Sequence, residues 1–126
     1  MFTHVMLGTN DMAASRTFYD ALFATLGAAP AMVDDKGRLI YLHGGAMFMV
    51  TTPIDGQPAC HANGGTVGFA MASAEQADAW HAAGVAAGGA SCEDPPGLRD
   101  SAIGPLYLAY LRDPAGNKLC GLFRPS

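Results

Sequence analysis

The sequence predicts an α+β domain assembled from two copies of one strand–helix–strand–strand–strand unit. Three observations carry that prediction. The chain resembles itself under a shift of 62 residues: His4-Val5-Met6-Leu7 falls on Thr66-Val67-Gly68-Phe69, Phe18 on Trp80, Tyr19 on His81, Ala24 on Ala86 and Gly27 on Gly89. Self-similarity over half of a small domain marks two copies of one supersecondary unit, with any ligand expected between them. In each half a short apolar run leads into a helix-like stretch that ends in glycine. The turn formers Asp35-Lys36-Gly37, Gly44-Gly45 and Asp113-Pro114-Ala115-Gly116-Asn117 then divide the remaining apolar segments into strands.

In chain order, Phe2–Thr9 reads as a buried strand, and Asn10-Asp11 supplies a helix cap, because a short polar side chain accepts the free N–H groups of a first turn. Met12, Phe18, Tyr19, Leu22, Phe23 and Leu26 recur at three- and four-residue spacings, which gives the helix one apolar face before Gly27 ends it. Strands follow at Ala31–Asp34, Leu39–His43 and Met47–Thr52. The Pro-, Gly-, Asp- and Asn-rich stretch from Pro53 to Gly65 reads as a mobile linker between the copies. The second copy repeats the order. Thr66–Met71 is a strand, Ser73 with Gln76 three residues on forms a capping-box pattern, and Ala74 to about Ala87 is a helix. A strand near Ala90–Cys92 leads into a loop holding Pro95-Pro96-Gly97 and Arg99. Leu106–Arg112 and Lys118–Phe123 are the last strands, so module one covers about 1–56, the linker 53–65 and module two about 66–126.

The 126 residues suit a single domain spanning 1–126, large enough for a substantial core. Only 14% of residues are charged, the net charge is −4, and the seven basic residues form no run, so the chain carries no electrostatic footprint for nucleic acid. Its longest apolar runs, Ala46–Val50 and Val67–Ala72, are too short to cross a bilayer, so no membrane partner is expected. No basic segment followed by an apolar core and a cleavage site opens the chain, so no export signal is expected. Cys60, Cys92 and Cys120 are odd in number and lack metal-knuckle spacing, which fits a cytoplasmic protein without a disulfide framework. Low charge with seven Met and sixteen Gly predicts apolar surface, part of it buried between subunits.

His4-Val5 opening the first strand, Phe18-Tyr19 with Leu26-Gly27, and Arg112-Asp113-Pro114-Ala115-Gly116-Asn117-Lys118-Leu119 resemble the motifs of one superfamily. It is the vicinal oxygen chelate group of glyoxalases, bleomycin resistance proteins and ring-cleaving dioxygenases. Asn63–Ala70 and Pro96-Gly97-Leu98-Arg99 are similar to a glyoxalase-like subfamily within it. The resemblance implies two βαβββ modules forming a half-open mixed β barrel around a central cavity. It also implies a divalent metal held by one residue from each of four strands, which polarises a substrate oxygen.

Matched position by position, those four places hold His4, Met49, Thr66 and Cys120. His4 is the only ligand type of the family retained. A hard dication needs several charged or strongly basic donors, so the metal site is expected to be lost and no cofactor is predicted. A soft ion such as Cu(I) would accept a Cys/His/Met set, but Met49 is equally readable as pocket packing. A divalent metal with water in the vacant places is the alternative. His4 is open to four roles: relic ligand, general base, polar contact to a ligand, or buried histidine bonded to a neighbour. Cys120 reads as a nucleophile or as a small pocket residue, Tyr110 as an inward-pointing pocket wall, and Arg99 as a carboxylate or phosphate contact at the cavity mouth or a solvated loop residue. The expectation is a glyoxalase-like homodimer binding a small organic molecule among His4, Met49, Thr66, Tyr110, Cys120 and Arg99. The alternatives are a metal-dependent lyase or isomerase of the lactoylglutathione-lyase type and, third, a ring-cleaving dioxygenase.

Overall fold

In the computed structural model, which describes residues 1–126, eleven elements follow one another: β1 (Val5–Gly8), α1 (Met12–Ala24), β2 (Met32–Val33), β3 (Leu39–His43), β4 (Ala46–Thr51), β5 (Val67–Ala70), α2 (Ala74–Ala86), β6 (Ala90–Ser91), β7 (Gly97–Arg99), β8 (Leu106–Arg112) and β9 (Lys118–Phe123). The strands form two sheets, β1-β4-β3-β2 and β5-β9-β8-β6, with β7 also paired to β8. In each sheet the first strand lies parallel to the last strand of its module and the remaining pairs are antiparallel. No ladder joins β1 to β5, so the two sheets do not close on each other by hydrogen bonds.

At the helix caps the shift of 62 holds to the level of single bonds. Asp11 caps α1 by accepting from the Ala14 N–H at 3.0 Å, and Ser73 caps α2 by accepting from the Gln76 N–H at 3.0 Å. The Thr9 and Met71 N–H groups, also 62 apart, donate to the Thr51 and Leu122 carbonyls at 2.9 and 2.8 Å, but these acceptors lie 71 apart because module two is longer ahead of its last strand. The glycine after each helix departs from the register as well. Gly27 takes the left-handed conformation after α1 (φ +82°), but after α2 that role falls to Gly88 (φ +105°), one residue early. Gly89 has a different job: a Cβ there would stand 2.4 Å from a Phe18 ring carbon.

Both helices lie over one face of the sheets. Phe18, Tyr19, Leu22 and Trp80 are fully buried against Leu39, Tyr41, Phe48, Val50, Ala109, Leu111 and Leu119. Each fully buried large apolar side chain contributes about 1.5–3 kcal/mol, so this shared layer holds the modules together. A polar clasp adds direction to that contact. The Asp113 carboxylate accepts from the Tyr19 hydroxyl at 2.5 Å, from Asn117 Nδ2 at 2.8 Å, and from the backbone N–H groups of Ala115 and Asn117 at 3.0 and 2.8 Å. Asn117 Nδ2 also donates to the Gly8 carbonyl of β1 at 3.0 Å. The β8–β9 hairpin of module two therefore grips both α1 and β1 of module one. Arg112 braces the hairpin by donating to the Gly116 carbonyl at 2.8 Å.

Burial, then the Asp113 charge and the hydrogen bond to it, hold the Tyr19 hydroxyl well above the ordinary tyrosine range. Tyr41, which donates to Asp20 at 2.7 Å, is raised by burial first and by Asp20 next. A group whose pKa is higher in the folded than in the unfolded chain stabilises fully below its unfolded value, near 10 for tyrosine, and loses that contribution as pH rises through the folded value. Stability is expected to fall progressively above about pH 10, with a shallower slope in Tyr19→Phe. Urea unfolding between pH 8 and 11 measures both slopes, and equal slopes would contradict the assignment.

Several expected boundaries move. The first strand starts at Val5 rather than Phe2, and Phe2 is 84% exposed because no element covers the residues ahead of β1. Strands expected at Ala31–Asp34 and Thr66–Met71 shorten to Met32–Val33 and Val67–Ala70. Arg99 lies in strand β7, not in a loop, because Gly97, Leu98 and Arg99 pair with Leu108, Tyr107 and Leu106. The 53–65 segment, expected to be mobile, is tied down: Asn10 Nδ2 donates to the Ala59 carbonyl at 3.1 Å, and the Ala59 N–H returns a bond to Asn10 Oδ1 at 2.7 Å.

Candidate functional site

Strand alternation sorts the candidate residues. Leu39, Tyr41, Phe48, Val50, Ala109, Leu111 and Leu119 pack toward the helices, so their neighbours in sequence point to the opposite face. Met49 in β4, Tyr110 in β8 and Cys120 in β9 all belong to that helix-free face, and Arg99 joins them through its pairing with Leu106. His4 and Thr66 precede β1 and β5 with the same parity, one residue outside each strand.

Within module two, three of these residues come together. Tyr110 stands directly opposite Cys120 in the β8–β9 ladder. Burial raises the Cys120 thiol above its usual range while the Tyr110 hydrogen bond pulls the other way, so burial wins and the thiol stays protonated near neutrality. Tyr110 is itself raised by burial, then by Cys120 and Glu93, with Arg99 opposing. Lys118 pairs with Glu93 and lies 5.0 Å from the centre of the Tyr110 ring, a cation–π distance. The Arg99 guanidinium folds back to donate to the Pro95 carbonyl at 2.8 Å. This corner is a charged rim around a tyrosine and a neutral thiol.

The first module offers different chemistry. Met49 is buried between Met6 and Ile40 in the sheet. His4 is exposed and its Nδ1 shares a hydrogen bond with Thr3 Oγ1 at 2.8 Å, so the reading of a buried histidine does not hold. Thr66 is exposed as well. The four family positions do not converge within one chain. His4 lies just before the start of β1, whereas Asn117, one residue before β9, contacts Gly8 at its far end. Extension of the β5–β9 register sets Thr66 beside Lys118 at that same far end, about 13 Å along the strand at roughly 3.3 Å per residue. Nowhere do three or more His, Cys, Asp or Glu side chains come together.

A cavity of about 450 Å³ opens elsewhere, on the helix side of the seam between β1 and β5. Its apolar walls include Val5, Phe23, Tyr41, Phe48, Val67 and Phe69, with His43, Gly44 and Ala46 at the β3–β4 hairpin. None of His4, Met49, Thr66, Tyr110, Cys120 or Arg99 lines it. Sequence reasoning passed over it because its walls are core-type residues at core spacing. The usable signal was the unequal length of the two hairpins, Gly44-Gly45 against Asp113–Asn117. No helix is long and apolar enough to cross a membrane.

The fold and motifs agree with comparisons to known proteins. The family model described as Glyoxalase/Bleomycin resistance protein/Dioxygenase superfamily matches residues 1–120. The crystal structure of a glyoxalase/bleomycin resistance protein from Albidiferax ferrireducens T118 is 58% identical, with 98% of this chain and 99% of that chain covered and a TM-score of 0.95. A lactoylglutathione lyase from Agrobacterium tumefaciens shares the fold at 21% identity, with 97% of this chain and 92% of that one covered and a TM-score of 0.67. A hypothetical protein from S. aureus does so at 18% identity, 98% and 94% coverage and a TM-score of 0.75. No curated protein matches the chain. The chain belongs to the glyoxalase/bleomycin resistance protein/dioxygenase superfamily.

Proposed function

We propose that the protein binds a small organic molecule on its helix-free sheet face without a metal, and that a second copy of the chain completes the site. The observation that carries this reading is the donor set at the four family positions. His4 supplies one imidazole, Met49 a buried thioether, Thr66 an alcohol and Cys120 a thiol kept protonated by burial. A divalent ion gives up water only for charged or strongly basic donors, and this set contains one. It does not fit a hard dication. What remains is a wall of apolar side chains with a few polar tips, which suits an organic ligand oriented by Tyr110, Arg99 and His4.

The separation of His4 from Thr66 along β1 supports the dimer, since a pocket using both modules needs a second chain to bring them face to face. Met6, Met32 and Leu42 on this face are 36, 52 and 57% exposed, apolar surface that association would bury. Protein purified without chelator is expected to carry no stoichiometric dication, and His4→Ala no less metal than the parent. One equivalent of metal in the parent, lost in His4→Ala, would sink the metal-free reading in favour of a lyase or isomerase of the lactoylglutathione-lyase type. Ligands from a small-molecule screen are expected to raise the melting temperature, because binding to the folded state alone stabilises it.

A further inference from the structure

The two edges that meet at the module seam are treated unequally. In a parallel ladder, alternate residues of an edge strand bond to the neighbour and the others turn their N–H and C=O outward. The Thr9 N–H bonds to β4 and the Met71 N–H to β9, so Met6 and Gly8 in β1, and Gly68 and Ala70 in β5, turn their backbone groups toward the open edge. Gly8 corresponds to Ala70 under the shift of 62. The outward carbonyl of Gly8 is satisfied by Asn117 Nδ2 at 3.0 Å. The outward carbonyl of Ala70 has no such partner among the side-chain bonds. The residue standing where Asn117 would be is Ala46: Phe48 pairs with Val5 as Leu119 pairs with Val67, and Ala46 and Asn117 lie two residues before each. The hairpin ahead of Ala46 is only Gly44-Gly45, and a Cβ at either glycine would meet nothing within 4 Å. Gly68, Ala70, Gly44 and Ala46 all line the 450 Å³ seam cavity.

We propose that this cavity is a small-molecule site for a flat aromatic amide, whose N–H takes toward the Ala70 carbonyl the part that Asn117 Nδ2 takes toward Gly8. The walls Phe23, Tyr41, Phe48 and Phe69 supply offset and edge-on faces for an aromatic ring. The strand edge supplies a directional contact, the Ala70 carbonyl, an acceptor without a side-chain partner on an exposed residue beside an apolar chamber. The site is separate from the helix-free face and does not depend on the reading of that face.

The test uses the full-length protein with 2-naphthamide and methyl 2-naphthoate, a pair of similar size of which only the amide donates. In ¹H–¹⁵N spectra, 2-naphthamide is expected to shift the amides of Gly44, Gly68 and Ala70 saturably and to leave Met49 and Cys120 in place. The ester is expected to bind about threefold to tenfold more weakly, the scale of one net hydrogen bond to a carbonyl at an exposed strand edge. Ala46→Asn, which supplies the missing donor from within the chain, is expected to weaken 2-naphthamide at least about threefold while keeping or raising the melting temperature. The proposal is overturned by the absence of saturable shifts at millimolar probe, by equal affinity for amide and ester, by shifts confined to the Met49–Cys120 face, or by unchanged binding to Ala46→Asn. If Ala46→Asn folds poorly, the shift map and the amide–ester contrast decide alone.

Discussion

Asp113→Ala is expected to cost about 3–5 kcal/mol, the range for a buried charged hydrogen-bond hub cut at its centre. For a domain of this size that corresponds to a fall of about 10–20 °C in melting temperature. The side chain is 4% exposed and accepts from four donors at once. Two of them, the Ala115 and Asn117 N–H groups, shape the hairpin. The Tyr19 hydroxyl and Asn117 Nδ2 carry its grip to module one, and Nδ2 also reaches Gly8. Removal of the carboxylate leaves a fully buried tyrosine hydroxyl without an acceptor and frees Asn117 to turn. Asp113→Asn retains one acceptor oxygen and is expected to fall between the two. Thermal denaturation followed by circular dichroism measures the series, and a loss under about 1 kcal/mol for Asp113→Ala would show that the clasp carries little.

Gly89→Ala is the second large effect, about 1–3 kcal/mol and at the upper end of what overpacking costs, because the obstacles include backbone. The added Cβ would lie 2.4 Å from Phe18 Cε1, 2.8 Å from the Arg112 carbonyl oxygen and 2.9 Å from the Gly84 carbonyl oxygen. Phe18 is fully buried, and the Gly84 oxygen already accepts from the Gly89 N–H at 2.9 Å, so neither has room to yield. Relief requires the end of α2 to lift from β8. Gly27→Ala makes a useful comparison. It stands at the same place under the 62-residue shift, with open space around it, and its cost arises from a left-handed backbone alone. Equal losses at the two sites would refute the steric account of Gly89.

Much of this architecture was legible in the sequence because local chemistry decides it. Leu39–His43, Leu106–Arg112 and Lys118–Phe123 are strands with the bounds that alternation and turn residues predict, and Asp11 and Ser73 cap the two helices. What escaped depends on partners distant in the chain. β7 is three residues long and exists because β8 offers a free edge, which overrides the loop character of Pro95-Pro96-Gly97. Parity alone set Tyr110 and Cys120 on one face, but the folding of Arg99 onto Pro95 needs coordinates. The Asp113–Asn117 turn was readable as a hairpin, whereas its grip on Tyr19 and Gly8 spans about a hundred residues and leaves no local trace.

The clasp has no symmetric counterpart, and that makes the two copies unequal. Module two holds the edge of module one through Asn117 and receives no return hold, since His81 replaces Tyr19 and bonds to Ser91 within its own module, and Ala46 replaces Asn117. Change in the long hairpin is policed from the other half of the chain. The Gly44-Gly45 hairpin takes no part in that clasp, and a Cβ at either glycine would meet nothing within 4 Å, so it is the point at which this scaffold can lengthen without loosening the bond between its halves, although a side chain at either left-handed glycine is strained.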